Sequence, residues 1–296
     1  MFKISNGNPG FIESPPDSRD FLLGKVQAPI EIPDEYFTGI SKLKIRNQNG
    51  QPSCVSEATC KMLELMEFWE TKSYKILSPR FLYALAKEHD GLQNQEGTYY
   101  RQCLKEASEY GICKEVLFKS DVELPKDTYK DFDYISEEAK SEAEHRKIKS
   151  YARVDDTSFE GLKQAIYQNK VIVLGLRYSS AWVRNKLGEY SYKESDILPL
   201  RVGQWISGHA VLAYGYDKDY IYFLNSFGEN WGRNGIGYFG KDYLIAGGFV
   251  EAWTAIDLPN NVIENLKEQI TLLQKIVDLY KLLIWRAKVG KQFMQF

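Results

Sequence analysis

Cysteine and histidine are both scarce in this chain, four and three of its 296 residues. Four cysteines (Cys54, Cys60, Cys103 and Cys113) are too few to staple a fold of this size with disulfides. None forms a C-x-x-C pair, and no two histidines share a helical H-E-x-x-H spacing, so neither a metal nor another cofactor is expected. Charge of one sign is also lacking. The 38 basic and 40 acidic side chains nearly cancel, which leaves no field for nucleic acid or anionic lipid to follow. No uncharged apolar run approaches the roughly 18 residues of a membrane span. The opening Met1-Phe2-Lys3-Ile4-Ser5-Asn6-Gly7-Asn8-Pro9-Gly10 has no apolar signal core, which points to a cytoplasmic or non-classically delivered protein with reduced thiols. Glycine and proline together occupy only 32 positions, whereas hydrophobic residues make up 44%. That is globular composition, in a length that suits one large fold or a two-lobed one.

Residues 1–32 are polar and carry Glu13-Ser14-Pro15-Pro16-Asp17, a non-helical run that reads as an arm laid over a surface. Pro52-Ser53 then stop the chain and supply an N-cap. Val55, Ala58, Met62, Leu65, Met66 and Trp69 recur at helical spacing, predicting a helix from Cys54 to Trp69. Two more helices are expected over 79–89 and 99–110, the second ended by Gly111. Residues 121–147 are dense in Asp, Glu and Lys and read as an exposed helix or crossing segment between two lobes. Strand character follows at 148–154, 171–176, 209–216, 220–226 and 235–239. A short helix between the first two opens on Thr157-x-x-Glu160, a capping box. Helices first and strands afterwards predict an α+β fold in two lobes, helical over about 50–120 and β-rich over about 148–258.

A long amphipathic helix is expected over 262–290. Leu266, Ile270, Leu273, Val277, Tyr280, Ile284 and Ala287 keep a strict 4-3 spacing, and Leu272, Ile276, Leu279 and Leu283 widen the stripe. It either packs on its own domain or forms a seam for self-association or docking.

The three histidines differ in setting. His89 and His145 lie in charged runs and read as surface residues. His209 opens Gly208-His209-Ala210-Val211-Leu212-Ala213-Tyr214-Gly215-Tyr216, where a polar ring in an apolar strand must be satisfied or employed. Asp217-Lys218-Asp219 has tight-turn composition. A hairpin centred on Lys218 sets His209 opposite Phe227 and Val211 opposite Asn225, so Asn225 shares the face of His209. An amide there would hold one imidazole nitrogen and leave the other for chemistry. Cys54 falls in the first turn of its helix, where unpaired N–H groups and the positive dipole end favour a thiolate. The alternative is a small core cysteine at a helix start.

These residues resemble the papain-like cysteine peptidases over roughly 33–258, in three blocks. Gln48 lies six positions before Cys54, as that family's oxyanion glutamine lies before its nucleophile. Gly208-His209-Ala210-Val211-Leu212 resembles the family's histidine strand. Asn225-Ser226-Phe227-Gly228-Glu229-Asn230-Trp231-Gly232 resembles its asparagine block. The resemblance implies a two-lobed fold with a cleft, Cys54 as nucleophile, His209 as acid and base, Asn225 as the orienting amide, and Gln48 as an oxyanion donor beside the Cys54 N–H. It implies protein or peptide substrates cut through a thioester.

The departures are specific. Gln51 stands where the family carries a disulfide cysteine, Val55 replaces the tryptophan after the nucleophile, and Phe227 replaces the one that shields the asparagine. Of the family's Gly-Gly substrate loop only Gln95-Glu96-Gly97 is left, and residues 1–32 are shorter than its inhibitory propeptides. Two alternatives stay open. One is a catalytically silent papain-fold component of an assembly. The other is a related acyl transferase or amidase.

Overall fold

Proline at 52 and the turn before it end the extended chain, and α1 (Cys54–Thr71) starts at Cys54. Ser53 stands at the N-cap but its hydroxyl does not cap the helix; instead Ser56 Oγ donates to the Ser53 carbonyl at 2.9 Å. The computed structural model describes residues 10–41, 43–179, 204–256, 273–281 and 284. Every residue from Cys54 to Leu65 is buried, so α1 is a central helix enclosed on all sides. Its charged side chains Glu57, Lys61 and Glu64 therefore lie inside the protein and need partners. Glu64 accepts from the Arg46 guanidinium, from the Tyr74 hydroxyl at 2.8 Å and from the Leu77 N–H at 2.8 Å.

Against α1 pack α2 (Pro79–His89) and α3 (Tyr100–Glu109). Ser78 caps α2 by accepting from the Phe81 N–H at 3.0 Å, and Gly111 follows α3 at φ +80°. The charged stretch beyond forms two short helices, α4 (Lys126–Tyr129) and α5 (Glu137–Ala143). Buried Tyr129, Ala139 and Ala143 pin it to the lobe.

The second lobe is an antiparallel sheet. Its strands are β2 (Ser150–Arg153), β3 (Ile172–Ser179), β4 (Trp205–Tyr216), β5 (Tyr220–Leu224), β6 (Ile236–Gly240) and β7 (Phe249–Ile256), ordered β2-β7-β3-β4-β5-β6. A short β1 (Tyr36–Phe37) pairs with the end of β4 that β3 leaves uncovered. Helix α6 (Phe159–Asn169) packs on β3 and β4, and α7 (Lys241–Ile245) follows β6. The α6 cap is Ser158, which accepts from Gly161 N–H at 3.0 Å, one residue later than the Thr157 box predicts. The chain is thus helical first and β-rich afterwards, an α+β fold.

The β4–β5 hairpin departs from expectation at its turn. Asp217 Oδ1 accepts from the N–H groups of Asp219 and Tyr220, both at 2.8 Å, so Tyr216 pairs with Ile221 instead of Tyr220. An irregularity between Ala213 and Gly215 absorbs the extra residue, and Ala213 then pairs with Phe223 and Leu212 with Leu224. That is the register expected near His209.

The chain divides into two compact units, Met1–Ile256 and Asp257–Phe296. In the second, residues 273–281 are helical, with Leu273, Ile276, Val277, Leu279 and Tyr280 exposed. The rest of the helix expected over 262–290 lies outside the described residues, apart from Ile284. Among the described residues no helix is long and apolar enough to cross a membrane.

Candidate active site

Cys54 sits at the head of α1, fully buried, with the backbone N–H of Ala210 on β4 close enough to favour its thiolate. Ala210 follows His209, so the junction of α1 with β4 brings Cys54 and the histidine together from opposite lobes. His209 Nε2 lies 2.7 Å from Asn225 Oδ1. The same oxygen accepts from the Ser226 N–H at 2.7 Å, which fixes the amide with its oxygen toward the ring. An accepting oxygen requires Nε2 to carry the proton. In the neutral ring, Nδ1 is then the basic nitrogen.

Aromatic rings roof this pair. Phe227 stacks on His209 at 4.6 Å and 28°, and Trp231 meets Phe227 edge-on at 6.1 Å. The smaller ring at 227 thus covers the imidazole with a tryptophan behind it. Gln48 is tied to the same loop. Its Oε1 accepts from Ser226 Oγ at 2.8 Å, its Nε2 donates to the Gln51 carbonyl at 2.6 Å, and its backbone N–H donates to Ser226 O at 2.9 Å. The four residues singled out in the sequence therefore meet in one place. His145 is exposed. His89 is half-exposed, with Nδ1 3.1 Å from a buried Glu106 carboxylate. Neither belongs to the site. Among the described residues no group of His, Cys, Asp or Glu is arranged to hold a metal ion.

The arm read from residues 1–32 as laid over a surface is what covers the site. Residues 10–14 of the arm run through the cleft. The Thr98 N–H donates to Gly10 O and the Ile12 N–H to Thr98 O, both at 2.9 Å, and Phe11 bridges to Gly208 on the other wall. The backbones approach so closely that a Cβ on Gly97 (φ +88°) would fall 2.3 Å from Gly10 O, and one on Gly10 (φ +104°) 2.1 Å from Pro52 O. The Phe11 ring fills a pocket made by two missing side chains. A Cβ on Gly175 would meet it at 2.1 Å and one on Gly208 at 2.5 Å, while Tyr100 lies against it at 5.7 Å. Beyond it, Ser14 donates to buried Glu251 through Oγ at 2.8 Å and through N–H at 3.2 Å. Arg101 then grips Asp20 with two hydrogen bonds of 2.6 Å.

This cover sets the electrostatics. His209 and Cys54 are both at zero exposure. Burial, only partly offset by the Asn225 hydrogen bond, lowers the His209 pKa to about 3, and the Lys61 charge pushes in the same direction. Burial likewise drives the Cys54 thiol far above its ordinary range. Under the arm the pair is therefore a neutral thiol beside a neutral imidazole.

Residues 38–244 match the family model of papain family cysteine proteases. Among solved structures, the fold is similar to xylellain, a cysteine protease from Xylella fastidiosa, with a TM-score of 0.70 at 22% identity over 84% of this chain and 96% of that one. It is also similar to digestive procathepsin L 3 of the Tenebrio molitor larval midgut (TM-score 0.61, 14% identity, 86% and 78% of the two chains). A third is the Carica candamarcensis cysteine protease CMS1MS2 in complex with E-64 (TM-score 0.55, 19% identity, 77% and 100%). No curated protein matches the sequence. With the family model spanning most of the chain and a two-lobed fold of the same kind, the chain belongs to the papain family of cysteine proteases.

Proposed function

We propose that this chain is a cysteine endopeptidase that hydrolyses peptide bonds through Cys54, His209 and Asn225. The observation that carries the reading is the 2.7 Å bond from His209 Nε2 to Asn225 Oδ1, which directs the remaining ring nitrogen to proton transfer. Once a substrate replaces the arm, the thiol proton passes to His209 Nδ1 and the Cys54 thiolate attacks the scissile carbonyl carbon. The oxyanion so formed is stabilised by the Cys54 N–H and by one N–H of Gln48 Nε2, whose other one serves Gln51. Collapse breaks the C–N bond, Nδ1–H protonates the leaving amine, and a thioester remains. Water then gives a proton to Nδ1, attacks the thioester and expels the thiolate with the acid product.

A second reading, a silent binding component, is favoured by one observation: the cleft is filled by the chain's own arm. The two part on the Cys54→Ser variant, which cannot form a thiolate at neutral pH. In a full-length background loosened by Phe11→Ala, the thiol form should digest an unfolded casein under reducing conditions and the serine form should not. His209→Ala should be as inactive, and Asn225→Ala should keep part of the activity, because it loosens the ring without deleting a reacting group. Equal digestion by the thiol and serine forms, or none by either, would sink the peptidase reading.

A further inference from the structure

A lysine is buried directly behind the triad. Lys61 lies two helical turns into α1 from Cys54, at 1% exposure, on the helix face that also carries Glu57 and Glu64. Its Nζ donates to the backbone carbonyl of Asn225 at 2.6 Å. The hydrogen bond therefore reaches the residue whose side chain holds His209. From its other side the chain at 225 is held through the Asn225 N–H, which donates to Gly235 O at 2.8 Å.

Burying an ammonium costs several kcal/mol unless it is compensated, and here the compensation is arranged away from the triad. Burial lowers the lysine's pKa to about 8, with Arg46 from the preceding loop pushing the same way. Glu57 and Glu64 on α1 oppose the fall and keep the ammonium charged at neutral pH. Glu57 is itself balanced by Arg46, whose Nε is 3.9 Å from its carboxylate, and feels Glu115 from the loop before α4. The neighbouring Cys60 also acts on the lysine's charge. The charge of Lys61 reaches His209. A merely solvated or packing role would not place the one donating group of an enclosed side chain on the asparagine carbonyl.

We propose that Lys61 is a positioning residue of the active site. Its ammonium clamps the Asn225 backbone, so that the amide stays aimed at His209, and supplies a positive charge behind the histidine. This rests on the peptidase reading above. The charge has a definite consequence. A nearby cation favours ionisation of the Cys54 thiol and also favours loss of the imidazolium proton. Both limbs of the bell that describes the thiolate–imidazolium pair are thereby set at lower pH than they would otherwise be.

The test follows the rate of Cys54 carboxamidomethylation by iodoacetamide in the full chain from pH 4 to 10. The rate is read by mass spectrometry and normalised to opening of the arm, measured as hydrogen exchange at the Ile12 amide. Lys61→Met removes both charge and donor, whereas Lys61→Gln removes the charge and keeps a donor. In both variants the two limbs should move up by about half a pH unit or more. The maximum should fall about tenfold in the methionine variant, as expected for a lost buried hydrogen bond, and stay near parent in the glutamine one. Should Lys61→Met fail to fold, Lys61→Met with Glu57→Gln removes the stranded carboxylate and gives the same readout. A bell that does not move, or equal maxima for the two single variants, would overturn the assignment. A parent Cys54 with no reactivity at pH 5, rising only as an ordinary thiol does, would overturn it together with the peptidase reading. A normal parent bell beside unmoved variants overturns the Lys61 role alone.

Discussion

His209 is held neutral by its cover, and that makes proton linkage a direct probe of what the pair does when the cover lifts. Covered, Cys54 and His209 share one titratable proton, on the sulfur, besides the one that Nε2 keeps throughout. If uncovering lets the thiol proton move to Nδ1, the exposed pair still carries one, and opening of the arm exchanges no proton with solvent from these groups. In Cys54→Ala only the imidazole is left. Its covered pKa of about 3 lies below the ordinary value near 6.5 that it regains on exposure. The open state then binds more protons, so opening is favoured as pH falls below about 6.5 and the gain approaches tenfold per unit. Hydrogen exchange at the Ile12 and Thr98 amides, corrected for intrinsic rates, should show this slope in Cys54→Ala and its absence in the parent. The same slope in both chains would mean that the sulfur keeps its proton on exposure and that no ion pair forms. The residues of this exchange were legible in sequence because proton-transfer chemistry restricts their types and spacing. Phe11 and Lys61 were not, since nothing local distinguishes an arm phenylalanine or a helix lysine until the tertiary fold brings Gly208 and Asn225 to them.

At the scale of elements, helix α1 carries the most demanding arrangement, a charged cluster inside the core. Glu64 serves Arg46, Tyr74 and Leu77 at once, and Arg46 also donates to the Leu77 carbonyl at 2.6 Å. Glu64→Gln strands the buried guanidinium and should cost about 3–5 kcal/mol in urea unfolding. A double change of Arg46→Met with Glu64→Leu should recover only part of that loss. It removes the stranded guanidinium but leaves Glu57, the Tyr74 hydroxyl and the Leu77 backbone groups without those partners. A single variant as stable as the parent would show that water reaches the cluster. The same helix shows how far sequence pattern reaches. Its start at Cys54 was marked by Pro52, but Ser53 does not cap it, since the enclosed start of α1 takes a backbone carbonyl to Ser56 instead. In the β4–β5 hairpin the asparagine was paired to the right face although the turn was misplaced by one residue, because the irregularity near Tyr214 compensates. Such compensations leave the hydrophobic alternation intact at both ends and so leave no trace in the pattern. Strand β7 was missed as a separate element, although its stretch was read as β-rich. It packs between β2 and β3, and Glu251, which breaks its apolar run, points to the arm.

For the whole molecule the arm and a substrate compete for one cleft. The arm takes the backbone edge at Thr98 and the pocket beside Gly175 and Gly208, which on the peptidase reading a substrate would have to take. Substrate binding therefore waits on the fraction of molecules whose arm has opened, and the apparent affinity falls by that fraction. The latch is Asp20, whose carboxylate is nearly buried against Arg101 and far in sequence from the reacting groups. Arg101 keeps a stacking partner in Trp253 at 5.5 Å when the carboxylate is removed, so Asp20→Ala should loosen the arm without unfolding the lobe. Loss of a largely buried bidentate pair is worth about 1.5–3 kcal/mol, which raises the open fraction by roughly ten- to a hundredfold. Two measurements should then move together. Alkylation of Cys54 should accelerate by that factor, and KM for a peptide substrate should fall by the same factor while kcat stays unchanged, since the arm is absent from the bound complex. Gly208→Ala pushes the Phe11 ring out and should accelerate alkylation likewise. A faster alkylation with an unaltered KM would mean that the arm shields the sulfur without occupying the path that substrate takes, and the competition would have to be abandoned.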